Sequence, residues 1–185
     1  MQELVRKLIH IILGLVIAGM VLVLDHSTAT AILAIGLFFG IILVDLILHG
    51  YPLPVILPVL DYVDRRDPLP GKGAFYLAIS TLACVILFPA PVVVPALVSW
   101  AVLDGVAAIA GRRFGRTRIF KGKSLEGTVA GILVTFPVLI LFISLYGAMV
   151  VAIVAGIIEM FSPVDDNLII PVGICILLTV IPVLI

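Results

Sequence analysis

Charged residues are scarce in this sequence: they make up 12% of its 185 residues, whereas 63% are hydrophobic. Soluble domains average about 25% charged residues. The composition, with a mean hydropathy of +1.39, therefore excludes a soluble fold and is typical of polytopic helical membrane proteins. Cysteine is almost absent as well. Cys84 and Cys175 both lie inside apolar segments, which argues against a disulfide framework or a zinc site and indicates buried thiols.

Apolar segments of roughly 20 residues can cross a bilayer as helices, with about 17 to 25 tolerated. The sequence predicts seven, of which the sixth is short: residues 4–24, 28–49, 72–89, 91–111, 127–145, 147–162 and 168–185. The first is expected to be a retained helix, because it is longer than the apolar part of a signal peptide and a second segment follows at once. Residues 51–60 carry three prolines and are too short to cross, which indicates an interfacial or re-entrant segment. We expect one all-α transmembrane domain over residues 1–185, built as a helical bundle.

The positions of the basic residues favour seven membrane crossings. Every Lys and Arg lies at the start of the first segment, between the second segment and the start of the third, or between the fourth and fifth: Arg6, Lys7, Arg65, Arg66, Lys72, Arg112, Arg113, Arg116, Arg118, Lys121 and Lys123. With seven crossings they all fall on one side, which the positive-inside rule makes cytoplasmic. The N-terminus is therefore predicted to be cytoplasmic and the C-terminus outside.

His10 and the acidic residues within or at the start of the apolar segments all lie toward the cytoplasmic ends. They are His10, Asp45, Asp104, Glu126 and Glu159, with Asp166 and Asn167 nearby in a loop. A charged residue in a membrane helix costs about 2.5–3.5 kcal/mol, so such residues indicate function. A transporter is expected to have polar groups near the midplane and paths to both sides. A one-sided acidic pocket rimmed by cations suits a phosphate-bearing substrate instead, because carboxylates hold Mg²⁺ while lysine and arginine neutralise the remaining charge.

Structural explanations stay open for several of these residues. Asp104 shares one helical face with three small residues, Ala107, Ala108 and Gly111, and such a face suits helix packing. Packing explains the small residues but not the acid among them. The arginines between 112 and 118 are also suited to binding lipid headgroups. Asp45 is placed to pair with His49, and His10 to make a structural hydrogen bond.

The segment from Asp104 to Gly127 resembles the signature of the CTP-dependent lipid kinases, which include dolichol (polyprenol) kinase, phytol kinase and CTP-dependent diacylglycerol kinase. That pattern is an Asp followed by small residues, Gly-x-x-x-Gly, then Lys-(Ser/Thr)-x-Glu-Gly. Other parts match in the same order: Arg-Lys-x-x-His at residues 6–10, the Arg-Asp to Gly-Lys-Gly-Ala loop at residues 66–74, and the acidic block at residues 159–171. The resemblance covers most of the chain.

The resemblance implies transfer of the γ-phosphoryl group of CTP to the hydroxyl of a lipid alcohol, with Mg²⁺ as cofactor. The expected catalytic residues are Asp104, Lys123 and Glu126, with Asp104 as a Mg²⁺ ligand or as the base that orients the hydroxyl. The expected metal ligands are Asp104, Glu159 and Asp166. The expected nucleotide contacts are Gly111, Arg112, Arg113, Gly115, Arg116, Lys123, Ser124 and Asn167. Further candidates are Arg6, Lys7, His10, Asp45, Arg66 and Lys72.

The chain departs from the family pattern at Leu103, where many members have Gly before the Asp. It also lacks the many additional spans of eukaryotic dolichol kinases and resembles a minimal microbial member. The lipid therefore stays open among polyprenol or dolichol, phytol or geranylgeraniol, and diacylglycerol. CDP-lipid synthases share a related motif and provide the alternative, phosphatidate cytidylyltransferase-like activity; a non-enzymatic transporter or scaffold is the second alternative.

The expected location is a microbial cytoplasmic membrane, crossed several times, with the active site facing the cytoplasm. The expected partners are CTP, a membrane lipid alcohol and the bilayer, without nucleic acid. The sequence leaves the oligomeric state open, and a homodimer is one of the alternatives.

Overall fold

A computed structural model describes residues 2–58 and 70–185, and their regular secondary structure is helical throughout. The seven α-helices are α1 (Gln2–Val23), α2 (His26–Leu48), α3 (Lys72–Leu87), α4 (Ala90–Phe114), α5 (Leu125–Leu139), α6 (Leu145–Phe161) and α7 (Asp166–Val180). A short 3₁₀ helix, Pro182–Leu184, follows α7.

Each helix overlaps one of the seven predicted apolar segments. Three contain stretches long and apolar enough to cross a membrane: Leu4–Val23, His26–Leu48 and Ala90–Phe114. The other four are shorter apolar helices of 15 to 17 residues. The architecture is therefore all-helical and compatible with a membrane bundle, while the seven crossings and the orientation of the termini stay predictions.

Three predicted boundaries are wrong. The helix within the segment predicted over 127–145 ends at Leu139, and α6 begins at Leu145, where the Ser144 side chain caps it by accepting a hydrogen bond from the Gly147 amide. The α-helix within the segment predicted over 168–185 ends at Val180, and Pro182–Leu184 form a 3₁₀ helix. The segment predicted to end at residue 111 continues as helix to Phe114. The arginines at 112 and 113 are therefore helical rather than part of a loop.

Helix α4 forms the centre of the bundle. Its apolar stretch is 83% buried, compared with 6% for the peripheral α2, and it packs against α1, α5, α6 and α7. Glycines allow α1 to approach it closely: a Cβ at Gly14 would lie 2.6 Å from the Trp100 ring, and one at Gly105 would lie 2.3 Å from Ile11. This approach brings the polar start of α1 beside the polar end of α4.

The small residues near the end of α4 do pack against another helix. A Cβ at Gly127 in α5 would lie 2.5 Å from the Ala107 carbonyl oxygen and 2.8 Å from the Gly111 Cα. The helix-packing explanation of Ala107 and Gly111 is therefore confirmed, and it leaves Asp104 unexplained.

The segment expected to be interfacial or re-entrant is only partly described. Residues 51–53 have no regular structure, 54–55 form a turn and 56–58 are helical, whereas its last two residues lie outside the described part of the chain. The candidate Arg66 also lies outside it.

Candidate active site

A cavity of about 710 Å³ lies at the end of the bundle where α1, α3, α5 and α7 begin and where α4 and α6 end. Seven cations and four carboxylates line it, so its charge is strongly positive. The cations are Arg6, Lys7, Lys72, Arg112, Arg118, Lys121 and Lys123, and the carboxylates are Asp104, Glu159, Asp165 and Asp166. The first residues or caps of α3, α5 and α7 lie in the lining, so the dipoles of these three helices add to the attraction for anions.

The cavity brings together twelve of the residues singled out from the sequence. They are Arg6, Lys7, His10, Lys72, Asp104, Gly111, Arg112, Lys123, Ser124, Glu159, Asp166 and Asn167. Five others do not line it, namely Asp45, Arg113, Gly115, Arg116 and Glu126. Asp45 lies near the end of α2 with a 69% exposed side chain, 3.4 Å from the Nδ1 of His49.

A buried ion pair joins α1 to α4 in the cavity wall. The Lys7 Nζ donates to both carboxylate oxygens of Asp104, at 2.8 and 2.6 Å, and the two side chains are only 10% and 9% exposed. His10, one turn along α1, donates from Nδ1 to the Arg6 carbonyl at 3.0 Å. The structural hydrogen bond expected for His10 is therefore present, and its ring still borders the cavity.

Lys123 sits at the centre of a second polar group, which joins α5, α6 and α7. Its Nζ donates to the Asp166 Oδ2 at 2.6 Å and to the Glu159 carbonyl, and lies 3.5 Å from the Glu159 Oε1. The Thr128 hydroxyl donates to the Glu159 Oε2 at 2.8 Å. Burial raises the pKa of Asp166, which precedes the apolar segment 168–185, to about 6, although Lys123 opposes this.

A tight hairpin presents Lys123 to this group. Lys121 and Gly122 have positive φ angles of 47° and 79°, and the Lys123 amide donates to the Phe120 carbonyl at 2.9 Å. Two consecutive positive φ angles are typical of a type I′ turn, which favours glycine at its second central position. Arg118 and Ser124 form a bridge across the hairpin, and Ser124 then caps α5 by accepting from the Gly127 amide at 3.2 Å.

Glu126 stabilises this loop from outside the cavity. Its carboxylate accepts hydrogen bonds from the amides of Arg116 and Thr117, each at 3.0 Å. Hydrogen bonding by its own amide, and then by the amides of Thr117 and Arg116, holds the pKa of Glu126 below its ordinary value of 4.5. Glu126, which was predicted to be catalytic, thus makes contacts that order the loop.

Asn167 makes hydrogen bonds to two other helices. Its Oδ1 accepts from the Nε1 of the fully buried Trp100 at 3.1 Å, and its Nδ2 donates to the Gly73 carbonyl at 3.0 Å. The Ser80 hydroxyl donates to its backbone carbonyl at 2.7 Å. Asn167, predicted to contact nucleotide, therefore joins the start of α7 to α3 and to the middle of α4.

Several residues that line or support the site were not singled out from the sequence. Trp100, Thr128 and Tyr76 carry no motif, and only the fold brings them to the site or behind it. Arg118 and Lys121 were counted among the cations, but their positions on the hairpin depend on the I′ turn.

The cavity carboxylates are suited to a Mg²⁺ ion most of whose other ligands are phosphate and water oxygens. The described residues contain no group of three His, Cys, Asp or Glu side chains close enough to hold a metal by themselves. However, Asp166 lines the cavity, and its Oδ1 is buried and has no hydrogen-bond partner among the described residues. Mg²⁺ is commonly held by one or two carboxylates together with substrate phosphates, so the donor set fits.

Comparison with known proteins identifies three relatives. An uncharacterised protein of Methanocaldococcus jannaschii is 32% identical over 176 residues, covering 92% of this chain and 90% of that protein. The chloroplastic farnesol kinase of Arabidopsis thaliana is 29% identical, covering 90% of this chain and 62% of the kinase. A chloroplastic protein of Glycine max named probable phytol kinase 3 is 28% identical, covering 92% and 60%.

The chain therefore spans less than two thirds of the length of either plant relative. No family model matches the sequence, and no solved structure matches it either. The alignments nevertheless extend over nine tenths or more of this chain, including the Asp104–Gly127 segment. The chain belongs to the lipid alcohol kinase family of the farnesol and phytol kinases.

Proposed function

We propose that this protein is a kinase that transfers the γ-phosphoryl group of CTP to the hydroxyl of a membrane lipid alcohol at the cytoplasmic face of a cell membrane. One observation carries the proposal: the buried Lys7–Asp104 pair lies in the wall of a strongly basic cavity and belongs to two helices that are apolar enough to cross a membrane. The relatives named farnesol kinase and phytol kinase support a lipid alcohol as the acceptor.

The reaction forms a bond between the lipid oxygen and the γ-phosphorus and breaks the bond between that phosphorus and the bridging oxygen, so that CDP leaves. The hydroxyl proton must go to a base. Asp104 suits this role because its carboxylate is held in a fixed position by Lys7. Phosphoryl transfer depends mainly on positioning and charge neutralisation, and a buried, hydrogen-bonded carboxylate provides the first of these.

Charge neutralisation would come from the cavity cations and the helix N-termini. Lys123 and Arg112 border the cavity from the α4–α5 side, and Lys72 borders it from α3. Lys123 is already oriented by Asp166 and Glu159. Asp166 and Glu159 would hold Mg²⁺, which would supply neutralisation of the phosphate charge.

The lipid would approach from the bilayer with its chain on the apolar surface. Helix α1 exposes Leu8, Ile9 and Ile12 around the same turns that carry Lys7 and His10. A hydroxyl at the end of an apolar chain that lies here would be within reach of Asp104. Farnesol, phytol, geranylgeraniol, polyprenols and diacylglycerol all offer such a hydroxyl, so the lipid is to be identified by assay.

A paired-label assay on the purified protein in vesicles tests the proposal. Each lipid alcohol is supplied with CTP labelled at either the γ or the α position, and unlabelled ATP is added as competitor. Label from the γ position should appear in the extracted lipid, and ATP should not displace it. Label from the α position, together with released pyrophosphate, would instead identify a CDP-lipid synthase, and label from neither would indicate a transporter or scaffold.

Two matched variants link the activity to the site. Asp104→Asn removes the base but keeps the shape, and should lower kcat about 100- to 10,000-fold, the range expected for loss of a general base. Asp45→Asn makes the same chemical change at an exposed position outside the cavity and should keep full activity. Equal activity of the two variants would contradict the role given to Asp104.

A further inference from the structure

The basic segment between α4 and α5 is divided into two halves that face different ways. Arg112 and Arg118 line the cavity. Arg113 and Arg116 instead line a separate depression together with Phe114, Gly115 and Glu126. The division follows from helix geometry, because neighbouring residues on a helix point about 100° apart and α4 continues through Arg112 and Arg113.

We propose that Arg113, Arg116 and Phe114 form a docking surface for the phosphate headgroup of an anionic membrane lipid. We name this set the outer arginine surface. The inference does not depend on the chemistry of the cavity, because these residues lie outside it.

Within the described part of the chain, the two guanidinium groups of the outer arginine surface lack an acidic partner. Neither makes a salt bridge with a carboxylate of the described residues. Glu126 is the acidic residue of this depression, and its two oxygens are occupied by the amides of Arg116 and Thr117. Planar guanidinium groups without a carboxylate partner are suited to binding a phosphate.

The apolar neighbours indicate a lipid rather than a soluble anion. Phe114 is the last residue of α4 and is 63% exposed, and the Arg113 guanidinium lies 5.7 Å from the centre of its ring. Ile119, in the loop that follows α4, and Leu125, the first residue of α5, are 44% and 43% exposed. An exposed Phe suits the boundary between headgroups and acyl chains, where Trp, Phe and Leu of interfacial helices lie, and arginines next to the membrane are attracted to anionic lipids.

Close packing separates this surface from the cavity. A Cβ at Gly115 would lie 2.2 Å from the Gly111 carbonyl oxygen and 2.6 Å from the Ser124 hydroxyl. Gly115, between Arg113 and Arg116, therefore packs directly against Gly111 and Ser124, which line the cavity. A lipid bound to the outer arginine surface would hold the hairpin at the depth of the lipid headgroups, and this hairpin carries Lys123.

Lipid titration followed by native mass spectrometry tests the inference. The delipidated protein is titrated with phosphatidylglycerol, which is anionic, and with phosphatidylcholine, which is zwitterionic. Near an anionic surface each basic residue contributes about 1 kcal/mol, so R113Q/R116Q should weaken phosphatidylglycerol binding roughly 30-fold and leave phosphatidylcholine binding unchanged. The conservative R113K/R116K variant should retain most of the preference, which controls for misfolding.

The matched control is R112Q/R118Q, which removes the same charge from the cavity side and should keep the preference for phosphatidylglycerol. Parent-like binding by R113Q/R116Q would overturn the inference. An equal loss in R112Q/R118Q would also overturn it, because the effect would then follow total charge. Displacement of phosphatidylglycerol from the parent protein by CTP would assign the lipid to the cavity and would equally refute a separate surface.

Discussion

Replacing Lys7 with methionine should destabilise the protein more than the loss of one exposed cation would. The Lys7 ammonium contacts both oxygens of Asp104, at 2.6 and 2.8 Å. The two side chains are 10% and 9% exposed, so water screens the pair little. Methionine fills a similar volume and leaves the Asp104 carboxylate buried without a counter-charge.

The expected loss is about 3–5 kcal/mol, the cost of breaking a buried pair by removing one partner. The double variant K7M/D104L removes both charges and should recover most of that loss, because a well-packed apolar pair of similar volume is often as stable as a buried ion pair. The coupling between the two positions should therefore be large and of opposite sign to the effect of the single change.

Unfolding of the purified protein in mixed micelles with increasing denaturing detergent provides the measurement, and a four-variant cycle includes D104L alone. Arg116→Met, which removes an exposed cation, should change the free energy of unfolding by less than about 0.5 kcal/mol. A loss below about 1 kcal/mol for Lys7→Met, or a double variant as unstable as the single one, would refute the argument that the pair is buried and coupled.

Three further predictions concern the surroundings of the site. Gly127→Ala should cost about 1–3 kcal/mol in detergent unfolding because the new Cβ would meet Ala107 and Gly111, whereas Gly19→Ala, which meets nothing within 4 Å, should be near neutral. Trp100→Phe should cost about 1–3 kcal/mol, because the Oδ1 of its partner Asn167 loses its donor. Since the pKa of Glu126 is lowered, its contribution should be complete above its ordinary value of 4.5 and be lost as the pH falls below it. Proteolysis of the 115–124 loop should therefore accelerate on acidification, and Glu126→Gln should abolish that pH dependence.

The positions of the helices were predictable because they follow from lengths of apolar sequence. Their ends were less predictable, since a single cap such as Ser144 divides a continuous apolar run. The sequence also indicated that Asp104 was unusual, but its partner lies 97 residues away on another helix. A pairing at that separation depends on packing, here on the glycines that let α1 approach α4.

Residues that share a motif turned out to have different surroundings. Lys123 and Glu126 are three residues apart in the same Lys-(Ser/Thr)-x-Glu-Gly motif, yet Lys123 faces the cavity and Glu126 binds backbone amides outside it. The arginines divide in the same way. A one-dimensional pattern gives the chemistry of such residues, whereas the direction of each side chain depends on where the helix stops and how the hairpin turns.

The four short helices would have a consequence for the surrounding membrane if they cross it as predicted. At 1.5 Å per residue, helices of 15 to 17 residues are about 22 to 26 Å long, which is less than the roughly 30 Å of a typical hydrocarbon core. A bilayer adapts to short helices by thinning around them, and α3, α5, α6 and α7 all start or end at the cavity. The local depression would lower the water boundary toward Asp104, so that a hydroxyl and a nucleotide phosphate could meet there without the lipid leaving its leaflet.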